Sequence, residues 1–214
     1  MNNNYKILEI IKEQYSGMGC GLSYKTPYQL LVATILSAQC TDKRVNIITE
    51  QLFKNYDTPE KMIKLNEEEL GNIIKSCGLY KNKSKNILKA TDEIISKYNG
   101  LIPDSFEKLI NLSGVGRKTA NVVLYNAFNI PTMAVDTHVF RVANRLGIGK
   151  GKNPKEVEEK LTELIDKKSL GEFHHYLIWH GRLVCSARNP KCSECKLTSY
   201  CEYFNNMNKD DTEI

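Results

Sequence analysis

The chain lacks the features that would place it in a membrane, a fibre or a disulfide scaffold. No apolar run approaches the ~18–20 residues that cross a bilayer. Glycine (13) and proline (6) are sparse and follow no repeat, which excludes collagen-like and low-complexity chains. Strand patterning is almost missing: the best candidate, Pro131 to Val135, is too short to found a sheet. The seven cysteines are odd in number, and 214 residues can bury a core without staples, so a disulfide framework is not expected. The opening segment Met1-Asn2-Asn3-Asn4-Tyr5-Lys6 has no apolar core of a secretory leader. Unpaired thiols and no leader predict a cytoplasmic protein.

Helical signals fill the chain instead. Residues 5–15 put Ile7, Leu8, Ile10, Ile11 and Tyr15 on one stripe. Thr26-Pro27-Tyr28-Gln29 reads as a capping box with proline at the first helical position. It opens the apolar stretch Leu30 to Ala38, expected to be a central buried helix. Asn66 with Glu69 caps a further helix, with Gly78 as its expected stop. Residues 84–98 predict another, ended by Gly100 and Pro103. Asn153-Pro154-Lys155-Glu156 opens one reaching about Lys168, and residues 172–184 form one more. Residues 205–214 read as a frayed tail. The expected fold class is all-α.

Thirty Lys and Arg against 25 Asp and Glu leave a net charge of +5, unevenly spread. Lys75, Lys81, Lys83, Lys85 and Lys89 share a stretch without an acid. Arg182, Arg188, Lys191 and Lys196 crowd another. Basic segments of this kind suit a phosphate-binding face or a solvated surface.

The most informative segment is Leu112-Ser113-Gly114-Val115-Gly116-Arg117-Lys118-Thr119. A short helix (about 105–111) enters it and a second leaves from Arg117. Gly114 and Gly116 are expected to take backbone angles closed to other residues and to let a phosphate approach the main chain. Amides at the second helix's N-terminus, with its dipole, make an anion site there. Val115 can pin the turn into the core. The pattern is that of a helix-hairpin-helix, which grips DNA backbone without reading sequence; a plain helix–helix turn is the bland alternative. A dinucleotide fold fails for want of a preceding strand and a third glycine, and the P-loop spacing is not met.

Lys118 stands on the first turn of the outgoing helix, the wrong end for a cation. The dipole and neighbouring Arg117 both disfavour an ammonium, which suits an amine that must attack uncharged. Asp136, in Val135-Asp136-Thr137-His138, reads as a helix N-cap. The same carboxylate could take a proton from an amine or stabilise a cationic transition state. His138 could line the same cleft, whereas His174, His175 and His180 read as packed core histidines.

Cys185, Cys192, Cys195 and Cys201 form a four-thiolate set. Its one Cys-x2-Cys pair suits a [4Fe–4S] cluster better than a zinc ribbon, although zinc is compatible with the ligand type. Cys20, Cys40 and Cys77 stand apart and receive no role.

Together the hairpin with Lys118, the Val135–His138 segment and the cysteine spacing resemble the endonuclease III family. Leu36-Ser37-Ala38-Gln39-Cys40-Thr41-Asp42 and Gly78-Leu79-Tyr80 also look like its signature segments. The resemblance covers essentially the whole chain. It implies two α-helical domains flanking a DNA groove. One is a barrel over 20–130 with the hairpin at about 105–128; the other is 1–19 plus 131–214, with the cluster. It implies Lys118 as nucleophile, Asp136 as its partner, Gln39 as filler of the gap left by an everted base and Leu79 as a wedge. Gly114, Val115, Gly116, Arg117 and His138 complete the expected DNA contacts. The implied activity is removal of damaged pyrimidines from duplex DNA, followed by β-elimination at the abasic site, by a monomer. A mismatch adenine glycosylase resembles the chain less, because such enzymes generally lack the lysine and extend further past the cluster.

Overall fold

In the computed structural model residues 3–210 are described, with side chains through Met207, and every regular element among them is helical. The chain divides into two compact units, Met1–Gly19 with Pro131–Ile214, and Cys20–Ile130. Among the described residues no helix is long and apolar enough to cross a membrane.

The first helix, α1 (Asn3–Tyr15), belongs to the discontinuous unit. The continuous unit holds α2 (Pro27–Leu36), α3 (Asp42–Leu52), α4 (Pro59–Met62), α5 (Glu67–Ile73), α6 (Tyr80–Tyr98), α7 (Phe106–Leu109) and α8 (Arg117–Phe128). Thr26 caps α2 by accepting from the Gln29 amide, and Pro27 occupies the first turn, where its missing N–H costs nothing. Tyr28 to Leu36 are all buried, as an axis wrapped by other helices requires. Around α2 pack α3, α6 and α8. The Asn66–Glu69 capping box opens α5.

Two boundaries here differ from the sequence expectation. Gly78 does not stop α5, which gives way to a 3-10 turn over Lys75–Cys77; Gly78 follows at φ 64°. Helix α6 starts four residues before 84, because Leu79 turns left-handed and its carbonyl accepts from the Lys83 amide. The polar run Tyr80 to Lys83 carries no apolar period that would announce this turn.

Returning to the discontinuous unit, the chain forms α9 (Thr137–Leu146), α10 (Pro154–Leu164), α11 (Leu170–Leu183) and α12 (Glu202–Asp210). Helix α11 packs against both α9 and α1. Residues 131–135 run extended without a ladder, with Met133, Ala134 and Val135 buried. Helix α10 stops at Leu164 instead of Lys168. Ile165 is extended, and Asp166 accepts from the Lys168 amide to start a separate turn. The frayed tail is also corrected, since α12 continues helical through Asp210. Tyr203 and Phe204 anchor it on the core, and residues 211–214 lie outside the described residues.

Candidate active site and metal centre

The hairpin is built on α6. Ser105 caps α7 by accepting from the Lys108 amide. Glu93 of α6 then holds the turn, accepting from the Ser113 amide (2.8 Å) and the Ser113 hydroxyl (3.1 Å). Gly114 has φ +75°, and a Cβ there would lie 2.8 Å from the Asn86 Cβ. Glycine is thus required twice, by conformation and by space. Val115 is buried as expected, which roots the turn. Gly116 departs from expectation: its φ is −95° and nothing lies within 4 Å of a Cβ built on it. Any residue could fold there, so its missing side chain leaves open space over the start of α8. The first amides of α8 have no intrahelical acceptor and face a dipole that favours anions. Arg117 stacks its guanidinium over the Phe106 ring at 5.0 Å, tying the two helices. Lys118, half-buried, follows on the first turn.

Two other segments of the same unit present exposed side chains from strained backbone. Gln39 has φ 54° and Leu79 has φ 48°, left-handed values that cost a non-glycine residue ~1–2 kcal/mol. Leu79 is 56% exposed, an apolar side chain with no core to fill. Strain of this kind collects where the surrounding structure holds a functional side chain in place. Lys75, Lys81, Lys85 and Lys89 are exposed, consistent with a basic face. Lys83 is not. It is 5% exposed, and its ammonium donates to the carbonyls of Leu36 (2.8 Å) and Cys77 (2.7 Å). Burial lowers its pKa. It is a structural clasp rather than a phosphate contact, and no local sequence signal distinguishes it from its neighbours.

In the other unit, Asp136 caps α9. One carboxylate oxygen, Oδ1, accepts from the amides of His138 and Val139, both at 2.8 Å. The arrangement fixes the carboxylate and leaves Oδ2 available. His138 faces Arg141, whose Nη2 lies 3.1 Å from Nδ1 and also donates to the Gly181 carbonyl. Guanidinium can only donate, so Nδ1 accepts and the ring proton sits on Nε2. Burial lowers the His138 pKa, opposed by Asp136 and reinforced by Arg141 and Arg182. His174, His175 and His180 are buried, in agreement with the packed reading.

The four clustered cysteines line one recess, together with Leu146, His180, Val184, Pro190 and Phe204. None is in a disulfide. Among the described residues no three His, Cys, Asp or Glu side chains are placed to hold a single metal ion. Four thiols lining one recess, with no three ligands gathered on a single point, fit a multi-atom cluster rather than one zinc. Several hydrogen-bond donors are directed at the sulfurs. Arg145 donates to Cys185 Sγ (3.4 Å) and to the Ser186 carbonyl (2.7 Å). The amides of Tyr203 and Phe204 point at Cys201, and that of Leu197 at Cys195. Burial nonetheless raises both thiols, with the neighbouring cysteines adding to the rise and these amides opposing it. His180 Nδ1 is 2.9 Å from the Tyr15 hydroxyl, and Nε2 is 4.0 Å from Cys195 Sγ. Burial pushes the Tyr15 hydroxyl up to about 12. Arg145 and His180 were not legible as partners of the thiols, since both reach them across long sequence separations.

Lys118 lies in one unit and Asp136, His138 and the cysteines in the other. Residues 32–167 match the HhH-GPD superfamily base excision DNA repair protein family, and residues 185–201 match the iron-sulfur binding domain of endonuclease III. The chain is 52% identical to the endonuclease III of Rickettsia conorii, over 94% of this chain and 96% of that protein. A non-covalent endonuclease III–DNA complex superposes with a TM-score of 0.93 at 41% identity, covering 98% of this chain and 100% of the other. A trapped endonuclease III–DNA covalent intermediate gives 0.92 at 42% identity, covering 97% and 99%. With a hairpin, a lysine on its outgoing helix and a four-thiol recess already in place, the chain belongs to the endonuclease III family: a base excision repair DNA glycosylase and abasic-site lyase with a [4Fe–4S] cluster.

Proposed function

We propose that Lys118 and Asp136 carry the chemistry, and that the substrate is duplex DNA holding a damaged pyrimidine or an abasic site. The observation that carries this reading is the hairpin turn. Open space at Gly116 and a helix start without a side-chain cap suit a phosphate, and Lys118 stands on that same turn. The lesion is everted at a few kcal/mol of unstacking. Gln39 fills the gap it leaves, and Leu79 wedges the opposite strand. Gly114, Val115, Gly116, Arg117 and His138 contact the backbone, with His138 donating from Nε2.

The uncharged Lys118 amine attacks the sugar C1′, and the base leaves. Ring opening gives a Schiff base. That cation acidifies C2′, and loss of its proton expels the 3′ phosphate by β-elimination. Two amides fix the Asp136 carboxylate through Oδ1, and its Oδ2 takes the amine proton or stabilises developing positive charge. The residues that would hold the cluster are Cys185, Cys192, Cys195 and Cys201. When bound it supplies iron–sulfur bonds that pin residues 185–201 as one loop, with Arg188, Lys191 and Lys196 exposed. The enzyme acts as a cytoplasmic monomer on the nucleoid.

Borohydride reduction of the Schiff base tests the assignment. Wild-type protein is expected to become covalently attached to an abasic duplex, and Lys118→Gln to bind it within a few fold yet form no adduct. Trapping that persists in Lys118→Gln overturns the nucleophile.

A further inference from the structure

Cys40 and Cys77 stand far apart in the chain, and the fold brings their thiols together. Cys77 is 1% exposed, at the end of the 3-10 turn after α5. Cys40 is half-buried against the same core. The two thiols are close enough that Cys40 perturbs the titration of Cys77, and both pack on one core. The Lys83 clasp explains the juxtaposition: one ammonium holds the Leu36 carbonyl at the end of α2 and the Cys77 carbonyl. It draws the Ser37–Thr41 loop and the Lys75–Leu79 turn to one point, and α3 packs on that turn.

Each cysteine also adjoins a left-handed residue. Gln39 immediately precedes Cys40, and Leu79 lies two residues after Cys77. The dithiol therefore joins the roots of the two strained segments whose tips are exposed.

We propose that Cys40 and Cys77 are a redox modification site, closing a reversible disulfide that displaces Gln39 and Leu79 and weakens binding of damaged DNA. The loss of binding rests on the reading of Gln39 and Leu79 as DNA contacts. The oxidant is a peroxide. Cys40, the accessible thiol, attacks one peroxide oxygen and becomes a sulfenic acid, releasing one water. The Cys77 sulfur then attacks the Cys40 sulfur. The S–S bond forms, and the sulfenic hydroxyl leaves with the Cys77 proton as a second water. Two thiols lose two electrons, which reduce the peroxide O–O bond, and a dithiol reductant reverses the change.

Burial pushes the Cys77 thiol up to about 11, with Cys40 adding to the rise and Lys83 and Arg44 opposing it. This suits Cys77 to resolve rather than to meet peroxide first. Closure draws the sulfurs to ~2.0 Å. With Lys83 already fixing both main chains, the adjustment falls on the residues beside the cysteines.

The test uses the cluster-loaded protein, oxidised with stoichiometric hydrogen peroxide, alkylated and digested with trypsin. Peptide 26–43 is expected linked to peptide 76–81, released by dithiothreitol, with the visible absorbance of the cluster unchanged. Oxidised protein is expected to bind an abasic duplex about ten-fold more weakly, with recovery on reduction. Cys40→Ser is expected to bind like reduced wild type and to ignore peroxide. Absence of the linked peptide overturns the proposal, as does equal sensitivity of Cys40→Ser. Gln39→Ala and Leu79→Ala separate the two layers. If these bind normally, the DNA-contact reading fails. If they bind weakly while the disulfide forms without effect, the switch fails.

Discussion

Gly114 and Gly116 sit two apart on one turn and answer to different physics. Gly114 is demanded by the protein, through a positive φ and the Asn86 Cβ at 2.8 Å. Gly116 is demanded by nothing within the protein. Gly114→Ala should therefore destabilise the fold by about 1–3 kcal/mol, read by urea unfolding. Gly116→Ala should unfold like wild type and yet bind abasic DNA several-fold more weakly. Normal binding by Gly116→Ala would remove the phosphate from that turn. The sequence showed both glycines and could not rank them, because a φ angle and a neighbour from α6 exist only after folding. Lys83 makes the same point from the other side. Among five lysines with no acid between them, nothing local marks the one that turns inward to hold two carbonyls.

Elements were most legible where a cap and an apolar period coincide. Thr26 with Pro27, and Asn66 with Glu69, open α2 and α5 where expected, although only α5 closes a full capping box: the Gln29 side chain accepts from the Lys25 amide in place of the Thr26 amide. Boundaries failed where a polar turn continued a helix, as at Tyr80, or where a side chain offered the backbone another partner, as Asp166 does after α10. Helix α9 shows how a cap and the carboxylate proposed for catalysis can be one residue. Asp136→Asn retains an Oδ1 acceptor and should change stability by less than about 1 kcal/mol, while glycosylase turnover falls sharply. Asp136→Ala should lose turnover and, in addition, about 1 kcal/mol of stability. Comparing denaturant midpoints with single-turnover rates for the two variants separates the roles. Full turnover in Asp136→Asn would leave the residue a cap alone.

At the scale of the molecule, each unit carries its own core, and the discontinuous one is closed by α1 packing on α11. Its buried histidines give it an acid limb. Burial, with Arg182 adding repulsion, holds His175 down to about 4, against an ordinary value near 6.5. A depressed histidine contributes its full stability above the unfolded value and loses it as pH falls through the window from 6.5 to 4. The loss reaches about 3 kcal/mol at 1.36 per pKa unit. Unfolding midpoints should drop between pH 7 and 4.5, and His175→Gln should show a shallower drop; an identical slope would relieve His175 of this role. The sequence by itself determined the helical class, the caps, the hairpin and the four clustered thiols, because those depend on neighbours within a few residues. Only the tertiary structure decided which lysine is buried, which glycine is open, that Arg145 and His180 serve the cluster thiols, and that Cys40 meets Cys77. Those outcomes depend on contacts between residues distant in the chain, and no periodicity or spacing encodes a contact of that kind.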